Sequence, residues 1–360
     1  MLLSDLYLWL SYSHVSTHKL NKLLSKLSPT QLWDALDGDA RAYALDEKTL
    51  TALKRTHSVD FITRAKQYLT ANNIEYVTRA DPIFPAALAQ SEVNPPLVLY
   101  YKGNLDIARE PCVAVVGTRR ASPYGKYATQ KIVSELAERF TIVSGLATGI
   151  DGFAHSAALA AGGNTIAVLG SGIFNVTPVS NLGIFDEICK KGLVISEYTP
   201  DVHASEYTFP QRNRIISGLS RGTLVIEAAE RSGSLITADC ALEQGRDVFA
   251  VPGDIDKPRS LGTNKLIKQG ATPVTCAQDV FDFYDMARAK PSGGRSTHIE
   301  LDFFEQRVLD TLKDGEATFD VLAEQCGMSV AELSAALSAL VINGLIHEKA
   351  KNLYCIGGTP

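Results

Sequence analysis

The chain lacks most of the groups that announce a chemistry, and each gap narrows the reading. Its six cysteines (Cys112, Cys189, Cys240, Cys276, Cys326, Cys355) come no closer than the 29 positions between Cys326 and Cys355. No CxxC motif and no Cys/His pair at ligand spacing occurs, so no metal site is expected, and the thiols fit a reducing cytoplasm. Cys112 and Cys240 lie inside apolar stretches, where small buried thiols are the default. No run approaches the roughly 20 apolar residues of a membrane helix, and Met1-Leu2-Leu3-Ser4-Asp5 has no basic segment, so neither a span nor a secretory signal is expected. GxGxxG and GxxxxGK[ST] are both missing, which removes the common pyrophosphate cradles. No nucleophile stands beside an obvious base, which weighs against a hydrolase. A basic excess is missing too, since the net charge is −5.

What remains is ordinary globular material: 360 residues, 45% hydrophobic, enough for two or three domains. The charge is unevenly spread. Residues 1–80 carry 10 Lys/Arg against 8 Asp/Glu, residues 81–295 carry 21 against 22, and residues 296–360 carry 4 against 10. The acidity therefore sits in the tail, and a near-neutral middle can still present a basic groove if its charges are sorted by face.

Residues 1–80 read as a small helical domain, with Leu20, Leu23, Leu24 and Leu27 at helical spacing and Ser28-Pro29 stopping one helix and capping the next. With little basic excess, this module is read as a packing or partner-contact element. A proline-marked connection leads to Leu97-Val98-Leu99-Tyr100-Tyr101, expected as an edge strand. From residue 112 short apolar runs alternate with helical stretches, the sign of a parallel sheet covered by helices. The strands are Val113–Val116, Thr141–Ser144, Thr165–Leu169, Leu193–Ser196, Thr223–Glu227 and Asp247–Ala250. Ser122-Pro123 caps the first covering helix, and Gly162, Gly192 and Gly245 stand where helices end. The core is bounded at 81–285, a Pro/Gly/Ser-rich linker at 286–299, and a last domain at 300–360 with a winged helix-turn-helix pattern. Its third helix, Ser329 to Ile342, contains no Lys or Arg, so protein contact is favoured over duplex reading.

Ligands bind such sheets at the carboxyl ends of the strands. Those ends are rich in glycine and polar residues: Gly117-Thr118-Arg119-Arg120, Gly145 to Gly149, Gly170-Ser171-Gly172, Arg231-Ser232-Gly233-Ser234 and Pro252-Gly253. Glycine permits close backbone approach, and exposed N–H groups make anion nests. The segment Phe209-Pro210-Gln211-Arg212-Asn213-Arg214 places a proline at an expected helix start and two guanidinium groups behind it, a candidate phosphate clamp. One of those arginines is expected to pair with a carboxylate such as Glu197 or Glu227 and the other to face ligand. Several shallow cradles in a row suit a string of phosphates, with Phe174, Tyr198, Tyr207 and Phe209 available to stack bases. Asp151 and His155, four apart, are read as a helix-start carboxylate and its neighbour more readily than as an acid/base pair.

Taken together, Val115 to Arg119, Val143 to Asp151 with His155, Phe209 to Ser220, Glu227-Ala228 with Ser232 to Leu235, and Val248 to Gly253 resemble the DNA-processing protein A (DprA/Smf) family across roughly residues 80–280. The resemblance implies an extended Rossmann-like parallel sheet with a small N-terminal helical (SAM-like) domain and a C-terminal winged-helix domain. It implies a non-enzymatic homodimer, without cofactor, that binds and protects incoming single-stranded DNA and loads the RecA recombinase in natural transformation. By the resemblance Gly117, Thr118, Arg119, the Gly145 loop and Arg212-Asn213-Arg214 would line the DNA groove. With the strand-end loops read above, the expected DNA-binding set is Gly117, Thr118, Arg119, Arg120, Gly145, Gly149, Gly170, Gly172, Phe209, Arg212, Asn213, Arg214, Ser232, Gly233 and Ser234. One departure stands out: Thr177-Pro178-Val179-Ser180-Asn181 replaces a usual Tyr-Pro pair, so Phe174 must supply any stacking that the tyrosine gives. Two other classes stay open: a nucleotide-binding or nucleotide-hydrolysing α/β enzyme using Glu227 or Asp151, and a regulator whose tail reads duplex DNA.

Overall fold

The computed structural model describes residues 1–38, 45–90, 93–286, 302–313, 315–342, 345–350 and 352–356. The chain divides into two compact units, Met1–Arg288 and Ala289–Pro360. The expected linker at 286–299 lies outside the described residues beyond Met286.

The first unit opens with helices α1 (Leu3–Tyr12), α2 (Thr17–Leu24), α3 (Pro29–Asp37), α4 (Glu47–Lys54) and α5 (Val59–Ala71). Ser28, Asp46 and Ser58 start α3, α4 and α5 by accepting the N–H of Gln31, Thr49 and Phe61, so short polar residues set each boundary. The apolar faces of these helices do not close on themselves. Leu6, Trp9, Leu20 and Leu53 join Leu97, Tyr100, Leu169 and Val194 in one buried cluster, so the helical head packs directly onto the sheet.

The sheet and its helices follow as β1 (Glu75–Thr78), α6 (Ala86–Ala89), β2 (Val98–Gly103), β3 (Cys112–Val116), α7 (Pro123–Leu136), β4 (Thr141–Ser144) and α8 (Ile150–Ala160). Next come β5 (Thr165–Leu169), α9 (Leu182–Lys191), β6 (Leu193–Ser196), α10 (Thr208–Leu219), β7 (Gly222–Val225) and α11 (Gly233–Glu243). The unit ends with β8 (Asp247–Ala250), α12 (Leu261–Lys268), β9 (Thr272–Pro273) and α13 (Ala277–Phe283). Among the described residues nine strands form one sheet in the order β1-β2-β6-β5-β4-β3-β7-β8-β9. From β6 to β9 neighbours are parallel, while β2 runs antiparallel to β6 and to β1. Strands β3, β4 and β5 are buried at every position, as helices on both faces require.

One expectation is corrected here. The strand over Leu97–Tyr101 is not an edge: β2 lies between β6 and β1, and Glu75-Tyr76-Val77-Thr78 takes the outer place. Four residues beside a helix end were too short a pattern to stand out.

Strand order reverses at β3. The chain winds from β3 through β4 and β5 to β6, then returns to β7 on the other side of β3 and continues to β8 and β9. Helices α10 and α11 cover one face through Ile215, Ile216, Ala238 and Ala241. Helices α7, α8 and α13 cover another through Ile132, Leu136, Ala154 and Phe281. A reversal of this kind leaves a crevice beyond the carboxyl ends of the strands, which is where the fold places a ligand.

The second unit holds α14 (Phe303–Leu312), β10 (Ala317–Thr318), α15 (Phe319–Cys326), α16 (Val330–Ile342), β11 (Ile346–Ala350) and β12 (Leu353–Ile356). Its strands pair antiparallel in the order β10-β12-β11 around a core of Val308, Leu322, Leu333, Leu337 and Ile346. This is the winged-helix arrangement expected from sequence. The expected helix end at Asn343-Gly344 lies outside the described residues. Among the described residues no helix is long and apolar enough to cross a membrane.

Candidate nucleic-acid interface

A cleft of about 360 Å³ opens where the strand order reverses. Gly117 and Arg119 reach it from the end of β3, Ala147 from the turn after β4 and Asp151 from the first turn of α8. Its other wall is the first turns of α10 and α11. Helix α10 begins at Thr208, two residues earlier than the proline signal suggests, so Pro210 is its third residue. The first-turn N–H groups have no helical partner in any case, so a proline there removes nothing. Thr208 and Ser205 bond reciprocally, Ser205 N–H to Thr208 Oγ1 at 2.9 Å and Thr208 N–H to Ser205 Oγ at 3.3 Å, and fix the entry.

Arg212 and Arg214 leave this helix on different errands. Arg214 Nη2 donates to both carboxylate oxygens of Glu197 at 2.6 Å, with each side chain 9% exposed. Arg212 is 4% exposed and its Nη1 donates to the carbonyls of Gly145 (2.6 Å) and Val168. Burial, partly offset by Asp151, draws its pKa down to about 10, so it stays charged at neutral pH. Of the two arginines, Arg214 is therefore the one that pairs with a carboxylate, as expected of one of them, and this removes it from the expected DNA-binding set. Arg214 is consumed by Glu197, one of the two carboxylates that the sequence offered, and Arg212 lines the cleft from within while holding two carbonyls. Asn213, between them, lines the cleft and donates to the Gly233 carbonyl at 3.4 Å, tying α10 to the start of α11.

Of the expected loop arginines, Arg119, Arg120 and Arg231 are all exposed, and Arg119 lines the cleft. The Arg119 guanidinium lies 4.9 Å from the centroid of the half-buried Phe209 ring, a cation–π stack on the cleft wall. Across from it Ser232 caps α11, its Oγ accepting from Ser234 N–H at 3.4 Å, so the positive end of that helix faces the cleft. Glu206 is also exposed at the cleft, a like charge for any anion.

The glycines separate into two kinds. Gly117, Gly149 and Gly233 are at least partly exposed. At Gly149 φ is +78°, and a Cβ would lie 2.3 Å from the Thr118 carbonyl, so only glycine fits. Gly145, Gly170 and Gly172 are buried, which corrects their reading as open phosphate cradles. A Cβ on Gly145 would meet the Arg212 guanidinium at 2.3 Å, and one on Gly170 the Phe209 ring at 2.7 Å. Gly172 spends its N–H on Val202, and Thr118 spends its own on Glu227, both at 2.8 Å. These positions shape the cleft by letting larger groups approach.

Candidate acid/base groups are engaged elsewhere. Glu227 accepts from Ser122 N–H (2.9 Å) and Ser122 Oγ–H (2.5 Å), which anchors the start of α7. Asp151 accepts from Gly145 N–H at 3.2 Å, and burial raises its pKa against the pull of Arg212. His155 meets Thr165 Oγ1 at 2.7 Å rather than Asp151. Thr165 Oγ1 donates to the Ile142 carbonyl, so the imidazole donates from Nδ1. Full burial, then Arg212, lowers the His155 pKa to about 3 and keeps the ring neutral. Among the described residues no group of three or more His, Cys, Asp or Glu could hold a metal ion.

Of the other rings, Tyr207 is 81% exposed at the head of α10. Tyr198 donates its hydroxyl to the Thr208 carbonyl at 3.3 Å, and exposed Phe174 sits edge-on 6.2 Å from Tyr68 of the head. The sequence reading missed Ile236 and Thr237, which line the cleft one turn into α11; helical spacing from Gly233 was the available signal. It also missed Asn181, whose Nδ2 donates to the Leu146 and Ala147 carbonyls at 3.0 Å and fixes the turn between Gly145 and Gly149.

Comparison with known proteins identifies the family and the fold. Residues 75–285 match the family model for DNA recombination-mediator protein A, and residues 297–350 the DprA winged helix domain. The chain is 37% identical over 328 residues to the protein Smf of Escherichia coli, covering 87% of each. It is 48% identical over 200 residues to the DNA processing protein DprA of Streptococcus pneumoniae, covering 56% of this chain and 71% of that one. The solved structure of DNA processing protein A from Streptococcus pneumoniae superposes with a TM-score of 0.69 at 37% identity, over 78% of this chain and 98% of that one. A DNA processing protein A from Helicobacter pylori, described for its single-stranded DNA binding mode, superposes with a TM-score of 0.53 at 31% identity, over 58% of this chain and 95% of its own.

Proposed function

The chain belongs to the DNA recombination-mediator protein A (DprA/Smf) family, and on that premise we propose that it binds single-stranded DNA along the carboxyl edge of its sheet. In this reading it works in the cytoplasm as a homodimer, shields an incoming strand and hands it to the RecA recombinase during natural transformation. The observation that carries the reading is Arg119 stacked on Phe209 beside the start of α11. A cation, an aromatic face and a helix N-terminus on one cleft suit the alternating phosphates and bases of a flexible strand. The single-stranded DNA binding described for the Helicobacter pylori relative supports the choice of strand.

In this reading the site binds the strand without cutting it. Glu227 and Asp151, the carboxylates a hydrolytic role would need, are held by Ser122 and by the Gly145 backbone. The tail's third helix shows Ala331, Glu332, Ser334, Ala335 and Ser338 to solvent, without a cation to meet phosphate, so duplex reading is not assigned to it.

A gel-shift titration of wild-type protein with oligothymidine and with a duplex of equal length tests the reading, with light scattering for mass. The single strand should shift at concentrations that leave the duplex free, in a particle containing two chains. Equal retardation of both, or preference for the duplex, would contradict it.

A further inference from the structure

A second cavity, of about 510 Å³, lies on the same carboxyl edge beyond β7 and β8. Its wall includes Ser122, Pro123 and Tyr124 at the start of α7, the Glu227 carboxylate, and the loop from Pro252 to Ser260. The first cleft is lined from β3, α10 and α11, whereas this one is lined from the start of α7 and the loop after β8.

We propose that this cavity is a second subsite for the same strand, taking one nucleobase against Tyr124 with the adjoining phosphate at Lys257 and Arg259. The inference rests on the single-strand reading above and extends it to residues outside the first cleft.

Four observations carry it. The lining carries flat and apolar groups, Pro123, Tyr124, Pro252 and Pro258, and Tyr124 is 47% exposed, so part of its ring is open to stacking. Two exposed cations, Lys257 and Arg259, share the lining. Arg259 is exposed and has no side-chain partner among the described residues, while Lys257 reaches only Asp256 at 3.4 Å, in a pair 62% and 71% exposed. An exposed pair of that kind is weak and yields to a phosphate. Asp254 and the buried Glu227 carboxylate bound to Ser122 also line the cavity, so a phosphate is favoured only beside the exposed Lys257 and Arg259, and an uncharged base elsewhere. Lastly, the frame is built before any ligand arrives. Tyr124 Oη donates to the Pro252 carbonyl at 2.9 Å, and Asn264 clasps Gly253, accepting its N–H at 3.2 Å and donating to its carbonyl at 2.9 Å. Ser260 N–H closes the loop onto the Lys257 carbonyl at 3.0 Å.

Tyr124→Trp places a fluorophore at the proposed stacking face, with wild-type emission from Trp9 and Trp33 subtracted. Titration with oligothymidine of roughly sixteen nucleotides should quench the added emission, whereas a strand of about four nucleotides, filling only the first cleft, should quench it far less. The double variant Lys257→Ala/Arg259→Ala should lose about tenfold in affinity for the longer strand and little for the shorter. Binding of the longer strand without quenching, or equal losses for both lengths, would overturn this subsite and leave the first cleft intact. Absence of binding by the wild-type protein would instead overturn the single-strand reading and this subsite with it.

Discussion

Glu197→Ala lowers the stability of the first unit by about 3–5 kcal/mol, because it strands a buried guanidinium. Glu197 and Arg214 are each 9% exposed and bonded through two 2.6 Å contacts, so neither can turn to water when the other is removed. Arg214 Nε already lacks a partner, which leaves no local substitute for the carboxylate. Glu197 also accepts from Thr17 Oγ1 at 2.8 Å, so the same substitution loosens the contact between α2 and the sheet. Removing both charges separates the pair from the packing: Glu197→Leu/Arg214→Met should regain most of the loss, since apolar replacements of similar volume often match a buried ion pair. Urea midpoints followed by circular dichroism read the difference. A loss below about 1 kcal/mol for Glu197→Ala would mean that Arg214 is not held as described.

Arg119→Ala and Phe209→Leu should each weaken single-strand binding by about tenfold and leave thermal stability nearly unchanged. Arg119 is exposed and supports nothing beneath it except the face of Phe209. Leucine keeps much of the volume that packs against Gly170 while removing the aromatic face. The two differ in salt dependence. Loss of the Arg119 phosphate contact should flatten the slope of log affinity against log salt by about 0.7, whereas loss of the ring should leave the slope unchanged. Equal slopes in the two variants would place Arg119 away from the strand. Arg212→Ala should behave differently, lowering stability and affinity together, because Arg212 holds the Gly145 and Val168 carbonyls from within.

Much of this frame is legible in the sequence. Apolar runs such as Thr141–Ser144, Thr165–Leu169 and Leu193–Ser196 coincide with β4, β5 and β6, because strands buried on both faces are apolar throughout their interior, with Thr or Ser only at an end. Ser122-Pro123 fixes the start of α7 through local cap chemistry, which a single sequence carries. The sequence suggests that either Arg212 or Arg214 pairs with a carboxylate such as Glu197 or Glu227, and contact between elements decides it for Arg214 and Glu197. Where sequence reasoning failed, the cause was tertiary. Gly145 and Gly170 look like phosphate cradles from their place after strands, yet they are glycine because Arg212 and Phe209 pack against them from a helix more than 35 positions away. Asn181 shows the same limit, reaching back 35 and 34 positions to brace the turn after β4.

Hydrogen–deuterium exchange on the full chain, with and without saturating oligothymidine, probes strand contact directly. Slower exchange is expected in the peptides holding Arg119, Gly149 and Ser232 to Ser234, with little change across α16 of the tail. Protection restricted to the tail, or none at the cleft when the strand is demonstrably bound, would show that DNA lies somewhere else on the molecule.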